Sequence, residues 1–271
     1  MSNFKLEKIP KTFNRYLTIW WFMSKNSFLS YIMHRAGLLG LFAGKILRFA
    51  FFFAFIFFLL GGTDTLAGYT FNQTIFFFLT FNLVDTISQF LYREVYRFRP
   101  LIVTGNFDLV LVKPVNALFR SLMGGADVID LITIPPLIAA IVYVGVALDP
   151  TVIQTTLFIL LVINGLIIAT AFHIAVISLG IITLEIDHTI MIYRDLVNMG
   201  RLPVDIYRQP LQGALTYLIP VGIMITLPAK ALMGLVSPVG VISGIALSGI
   251  AFFASLKFWN LALRRYTSAS S

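Results

Sequence analysis

The 271-residue sequence has no cysteine, and charged residues make up only 12% of it. The absence of cysteine excludes a disulfide framework, thiolate metal ligands and a cysteine nucleophile. Soluble domains carry about 25% charged residues, so this chain has too few to cover the surface of a soluble fold. Hydrophobic residues supply 58% of the chain, and the mean hydropathy is +0.90. These values predict an integral membrane protein of the all-α class.

The sequence also lacks the motifs of a nucleotide-binding or metal-dependent enzyme. Its nearest approach to a phosphate-binding loop is Gly40-Leu41-Phe42-Ala43-Gly44-Lys45-Ile46, which has the wrong glycine spacing and no Ser or Thr after the lysine. No His, Asp and Glu set has the spacing of metal ligands. We therefore expect no enzyme activity and no metal or cofactor in this chain. If ATP drives the protein, a separate subunit must bind the ATP and Mg.

Apolar stretches of sufficient length predict six membrane-spanning helices in a single domain that follows a leader at residues 1–37. Within the leader, Lys11–Tyr31 mixes aromatic and basic residues, which favours an amphipathic helix in the membrane interface over an ordinary tail. The third span starts near Leu118 or near Asp127. The spans are expected at about residues 38–60, 71–92, 120–146, 152–184, 211–227 and 239–259.

The segment between spans five and six is interrupted by Pro220, Pro228 and Pro238. Breaks at membrane depth are tolerated only where protein shields the backbone or where it lines a cavity. Two interpretations stay open: a short re-entrant or interfacial helix near Pro228–Leu235, or a kinked span followed by a short loop.

Basic residues are distributed unevenly among the predicted loops. Cytoplasmic loops of membrane proteins are enriched in Lys and Arg, so the asymmetry predicts that both chain ends lie in the cytoplasm. It also explains the net charge of +8 without a nucleic-acid partner. Only Lys230 falls in a predicted outer loop. The other 19 are Lys5, Lys8, Lys11, Arg15, Lys25, Arg35, Lys45, Arg48, Arg93, Arg97, Arg99, Lys113, Arg120, Arg194, Arg201, Arg208, Lys257, Arg264 and Arg265.

Polar side chains inside the predicted spans are candidates for a substrate path. Asn82, Asp85 and Gln89 fall at i, i+3 and i+7, on one face of span two. Asp127 and Asp130 form an i, i+3 pair near the start of span three. Such carboxylates suit a proton or cation relay, and they equally suit helix–helix hydrogen bonds or pairing with arginine. We favour the structural interpretation, and the relay stays open.

Three stretches resemble a known family of transporters. Gly105-Asn106-Phe107-Asp108-Leu109-Val110-Leu111-Val112-Lys113-Pro114 follows span two. Gly200-Arg201-Leu202-Pro203 through Leu218-Ile219-Pro220-Val221 leads into span five, and Leu263-Arg264-Arg265-Tyr266-Thr267-Ser268-Ala269-Ser270 ends the chain. With six spans and a basic N-terminal helix, these stretches resemble bacterial six-span ABC transporter permeases of the type-2 exporter class over essentially the whole length.

The resemblance implies a function that the residues alone do not. Such permeases form homodimers or heterodimers in the bacterial cytoplasmic (inner) membrane, and two ATP-binding subunits dock on their cytoplasmic loops. Phe107–Arg120 would hold the main coupling contact and Glu185–Arg208 a second one. The substrate path would lie at the dimer interface, lined by spans one, two and five. The implied coupling residues are Phe107, Asp108, Lys113, Pro114, Arg120, Arg201 and Arg208.

Two other functions stay open on the sequence. One is an ion- or proton-coupled carrier that uses Asp85, Asp127 and Asp130, and the other is a scaffold that transports nothing. Membrane lipid is an expected partner in every case. Nothing in the sequence identifies a substrate.

Overall fold

The computed structural model describes residues 9–33, 35–61 and 65–267. Within these ranges the regular structure is helical, apart from a single antiparallel bridge between Leu66 and Tyr69. The prediction of an all-α, multi-span membrane protein is confirmed. The basic residues Lys5 and Lys8, the predicted turn at residues 62–64 and the tail from Ser268 lie outside the described residues.

Five helices are long and apolar enough to cross a membrane. Two of them begin sharply because a threonine and a glutamine three residues later bond each other's backbone: Thr70 with Gln73, and Thr151 with Gln154. The five are α2 (Arg35–Gly61), α3 (Phe71–Tyr92, with further helical turns to Val103), α7 (Val128–Val146), α8 (Val152–Thr183) and α12 (Pro238–Arg265).

The bundle has two ends, which we name by a residue that each contains. At the Phe107 end, α3 and α8 finish and α7 begins. At the Lys230 end, α3 and α8 begin and α7 finishes. Four short or amphipathic helices lie at or beside the Phe107 end: α1 (Ile9–Met33), α4 (Arg99–Val103), α5 (Phe107–Leu111) and α6 (Ala117–Leu122).

Helix α7 begins at the later of its two predicted positions. Residues 123–127 are not helical, so α6 is separate from α7. The Asp127 side chain accepts a hydrogen bond from the Ile129 backbone N–H at 2.8 Å and caps the first turn of α7.

The chain returns from the Phe107 end to the Lys230 end between residues 186 and 206, before the predicted fifth span begins at residue 211. Helix α9 (Ile186–Asn198) packs Ile186 directly against Gly180 near the end of α8. From Asp187 in α9 to Asp205 beyond it, the successive contacts of the chain move along α3 towards the start of that helix. Asp187 pairs with Arg99 at 3.3 Å, and Tyr193 packs on His173, whose ring in turn contacts Tyr92. Arg201 then lies 5.8 Å from the centre of the Phe81 ring, and Asp205 bonds Tyr69 at 2.8 Å.

These contacts make residues 186–206 the remaining crossing. Segment Phe71–Val103 has 33 residues, or about 50 Å at 1.5 Å per residue, which exceeds the roughly 30 Å of the hydrocarbon layer. Residues 199–206 are mostly irregular, and Gly200, Pro203 and Val204 are buried. Irregular backbone is tolerated at this depth because the surrounding helices shield it from lipid.

The predicted fifth span is a bent helix pair in the structure. Helix α10 (Leu211–Leu218) and helix α11 (Gly222–Leu232) meet at 76°. The break lies beside α8 and α12, where Pro220 lines the cavity between these two helices. The start of α10 and the end of α11 both lie at the Lys230 end. Gln212 of α10 bonds Asp205, which also pairs with Lys230, and Leu232 of α11 packs beside Gly145 near the end of α7. The pair is therefore re-entrant, which differs from the predicted span at 211–227.

Helix α8 is the central element and packs against α3, α9, α11 and α12. Helix α2 is the least covered of the five long helices, because most of its side chains are exposed. Its contact with α3 is aromatic: Phe52 stacks on Phe78 with ring centroids 4.1 Å apart.

Candidate functional site

The first candidate region is the loop after α3, which is anchored by a fully buried phenylalanine. Phe107 packs edge-on against Phe98, with ring centroids 5.2 Å apart, and against Tyr266 at 5.1 Å. Trp259 of α12 approaches to 6.4 Å. Phe107 therefore ties the loop to both α3 and α12 and offers no surface to a partner.

Apolar side chains of the same loop are exposed around this anchor. Val112 is 78% exposed, and Val103, Leu109 and Leu111 are exposed as well. We call these four residues the loop patch. Lys113 and Pro114 next to it are also exposed, while Asp108 is half-buried. An exposed apolar patch with charged neighbours is typical of a protein interaction site.

Helix α1 holds the far side of this loop. The Arg15 guanidinium donates to the Pro114 carbonyl at 3.0 Å, and the Asn116 N–H donates to the Tyr16 hydroxyl at 3.1 Å. The Tyr16 ring also packs edge-on against Phe119 at 4.7 Å. A movement of the loop would therefore reach α1 as well as the spans.

Ion pairs occupy the inner faces of the helices near the Phe107 end. Arg120 is 2.6 Å from Glu94, which ties α6 to the turn after α3. Arg120, which the resemblance implied as a coupling contact, is thus paired with a carboxylate of its own chain.

Both aspartates near the start of α7 also have basic partners. Arg93 is 3.2 Å from Asp127, and Lys45 of α2 pairs with Asp130. Carboxylates held in this way join helices at the membrane edge, which favours the structural interpretation over a proton relay through Asp127 and Asp130.

The three predicted path residues on α3 do not share one environment. Asn82 is buried, and its amide donates to the Phe78 carbonyl of its own helix at 2.7 Å. Asp85 and Gln89 are partly exposed and bond each other at 2.8 Å. Arg201, predicted as a coupling contact, lies beside them with its guanidinium over Phe81. The structure thus brings Arg201 to the path residues, away from the loop patch.

The structure places Arg208 at the opposite end from Phe107. Its carbonyl accepts a hydrogen bond from the Gln212 N–H, and it lies three residues from Asp205. Asp205 contacts Tyr69 in the connection between α2 and α3. Of the residues that the resemblance implied for coupling, Phe107, Asp108, Lys113, Pro114 and Arg120 are together, whereas Arg201 and Arg208 are elsewhere.

The sequence did not predict the polar cluster around Asp205. The Asp205 carboxylate accepts from the Lys230 ammonium at 2.8 Å, from the Tyr69 hydroxyl at 2.8 Å and from the Gln212 amide at 3.1 Å. We call these four residues the Asp205 cluster. Its one signal in the sequence was Lys230, the only basic residue in a predicted outer loop.

The Asp205 cluster joins three segments that are distant in sequence. Tyr69 lies before α3, Asp205 and Gln212 flank the turn before α10, and Lys230 lies on α11. Burial, the hydrogen bond to Asp205 and the negative charge of Asp205 raise the pKa of the Tyr69 phenol. The phenol therefore stays a donor at neutral pH. Beside the cluster is a cavity of about 280 Å³ between α10, α11 and the start of α12.

Comparison with known proteins decides the family. A family model described as "ABC-2 family transporter protein" matches residues 46–270.

The chain belongs to the ABC-2 transporter family.

Comparison of the chain with curated proteins and with solved structures found no match.

As an ABC-2 family member, the chain is a multi-pass permease subunit of an ABC transporter, a class that associates with an ABC ATP-binding subunit. This confirms the resemblance stated from the three sequence stretches. In the part of this permease that the structure describes, no three His, Asp or Glu side chains form a group that could hold a metal ion.

Proposed function

We propose that this permease is the membrane subunit of an ATP-driven exporter in the bacterial cytoplasmic membrane. Two ATP-binding subunits dock at the Phe107 end, which lies in the cytoplasm, and bind and hydrolyse the ATP. A second permease subunit, identical or related, completes the substrate path. The chain itself performs no covalent chemistry.

The observation that carries this proposal is the loop patch on its buried anchor. Val112 and Leu109 are exposed, whereas Phe107 on the same loop is buried. A partner bound to the patch therefore transmits force to the tightly packed Phe107. The push passes to α3 through Phe98 and to α12 through Trp259 and Tyr266. A soluble ATP-binding subunit fits this patch better than lipid does, since Lys113 and Pro114 beside it are outside the spans.

The exposed face of α2 supports pairing with a second permease subunit. Arg48 is exposed on α2 in the interior of the apolar segment Leu39–Leu59. A charged side chain near the bilayer centre costs about 2.5–3.5 kcal/mol on translocon-insertion scales. A protein face or a water-filled path beside Arg48 removes this cost, whereas lipid does not.

Co-purification tests the docking surface. We expect an ABC ATPase to be encoded beside this chain, and we expect the tagged wild-type chain, coexpressed with that ATPase, to retain it through purification. The variants Leu109→Asp and Val112→Asp should each lower the retained ATPase at least tenfold, because a charge on the patch opposes its burial.

Leu184→Asp is the matched control. Leu184 is similarly exposed, ends α8 at the Phe107 end and lies outside the loop patch. Its variant should retain the ATPase at the wild-type level. Equal retention by Leu109→Asp, Val112→Asp and wild type would refute docking on the patch, and a wild-type chain that retains no ATPase would refute the exporter function.

A further inference from the structure

Arginine side chains gather at mid-depth beside α3. Since α2 and α3 are antiparallel and Phe52 stacks on Phe78, Arg48 lies near the level of Asn82, one turn further along α3. The Arg201 guanidinium lies over Phe81, on the same turn. Arg48 and Arg201 therefore approach this level from two different segments of the chain.

Arg194 and Asp85 complete this group. Arg48, Arg194 and Asp85 are all near enough to act electrostatically on the Arg201 guanidinium. Asp85, the carboxylate near Arg201, already accepts a hydrogen bond from Gln89. We call Arg48, Arg194, Arg201 and Asp85 the arginine cluster.

The cluster has unused hydrogen-bonding capacity for an anion. The Arg201 Nε is buried without a hydrogen-bond partner. Within the described residues, no carboxylate forms an ion pair with Arg48, Arg194 or Arg201. Uncompensated cations at membrane depth are expensive and mark ligand pathways. Arginine presents a planar set of donors that fits a carboxylate or a phosphate group.

An apolar stripe continues from the cluster towards the Lys230 end. Phe51, Phe55 and Phe58 follow Arg48 at helical spacing on one side of α2 and are 70%, 50% and 77% exposed. A ligand with an anionic group at Arg48 has an aromatic surface on which to lay an apolar body. The two surfaces together fit an amphiphile, a molecule with an anionic group and an apolar body.

Resting on the exporter function proposed above, we propose that the transported substrate is an amphiphilic anion. Its phosphate or carboxylate binds in the arginine cluster, and its apolar part lies along the phenylalanines of α2. The same chemistry belongs to a membrane lipid with an anionic headgroup and to a soluble organic anion with an alkyl chain. The experiment below separates these sources.

Direct binding to the intact complex provides the test. The chain with its ATP-binding subunit is placed in phosphatidylcholine nanodiscs. One arm measures saturable binding of radiolabelled decyl phosphate above that of empty discs, with decyltrimethylammonium as the cationic counterpart. The other arm replaces a fifth of the lipid with phosphatidylglycerol, dissolves the discs in detergent and quantifies the phosphatidylglycerol that co-purifies with the complex.

We expect saturable binding of decyl phosphate, retention of phosphatidylglycerol, or both, and no saturable binding of decyltrimethylammonium. Arg48→Gln and Arg201→Gln should each lower the affinity for decyl phosphate, or the amount of retained phosphatidylglycerol, about tenfold. Arg201→Lys, which keeps the charge but loses the planar donors, should lower it less. The control Arg208→Gln removes the same charge at the Lys230 end and should bind as wild type does.

Two results would overturn the inference. One is no saturable binding of decyl phosphate together with no retained phosphatidylglycerol, and the other is equal binding by wild type and the Arg48→Gln/Arg201→Gln double variant. If the complex still holds its ATPase and hydrolyses ATP in that case, the exporter function stands and only the substrate class fails. Loss of the ATPase from the wild-type complex would refute the exporter function itself. Size-exclusion profiles verify that each variant is folded.

Discussion

The two ends of the bundle are held together by different interactions. At the Phe107 end, buried aromatic rings anchor a loop whose remaining apolar side chains are exposed. At the Lys230 end, a carboxylate satisfied by three donors joins segments that are distant in sequence. Apolar packing at the Phe107 end leaves a rigid surface that a partner can bind. A polar cluster can separate and re-form in water.

The largest effect is expected at the aromatic anchor. Phe107→Ala removes a fully buried ring, and such truncations cost about 3–5 kcal/mol in protein cores. The thermal unfolding midpoint of the purified chain should fall clearly, and the coexpressed ATPase should be lost. Leu109→Ala on the same short helix is the control and should leave the midpoint almost unchanged, because Leu109 is exposed. Similar midpoints for the two variants would show that Phe107 is no anchor.

A smaller effect is expected at the other end. Lys230→Met leaves the Asp205 carboxylate without its cation, which should cost about 1–3 kcal/mol at this partly exposed site. Hydrogen exchange should quicken in residues 204–232 while residues 99–122 keep their wild-type rates. The double variant Asp205→Asn/Lys230→Met should recover part of the loss. Faster exchange at both ends would contradict the independence of the two regions.

The smallest effect concerns the tyrosine that joins the cluster to the start of α3. Tyr69→Phe keeps the ring contact with Phe77 and removes one hydrogen bond to Asp205, a loss of about 1 kcal/mol. Exchange should quicken around residues 65–70 and 205, less than in Lys230→Met. Because the pKa of Tyr69 is raised, the wild-type protection of these residues from hydrogen exchange should persist at pH 9. Loss of protection between pH 7 and 9 would contradict an intact phenol donor.

The sequence predicts the apolar helices well and the fifth crossing poorly, for a physical reason. Hydropathy detects a helix that faces lipid, such as α2 or α12. Helix α9 contains Asp187, Arg194 and Asn198, so it has the composition of a surface helix, yet protein covers the irregular backbone that follows it. An apolar re-entrant pair then takes the place where a span was expected.

The candidate sites show the same limit. Helical spacing placed Asn82, Asp85 and Gln89 on one face, but spacing does not reveal that Asn82 bonds its own backbone. Pairs such as Asp205 with Lys230 depend on chain reversals that no local pattern indicates. The short motif around Phe107 identified the loop, whereas only the structure separates its buried anchor from its exposed patch.

Sidedness is the most direct test of this account, and the absence of native cysteine makes it simple. Single cysteines are introduced as Val112→Cys on the loop patch and Gln209→Cys beside the Asp205 cluster, and intact cells are treated with a membrane-impermeant maleimide. We predict that the cysteine at position 209 is labelled in intact cells and that the one at position 112 is labelled only after permeabilisation. Labelling of both positions from the same side would contradict a crossing by residues 186–206.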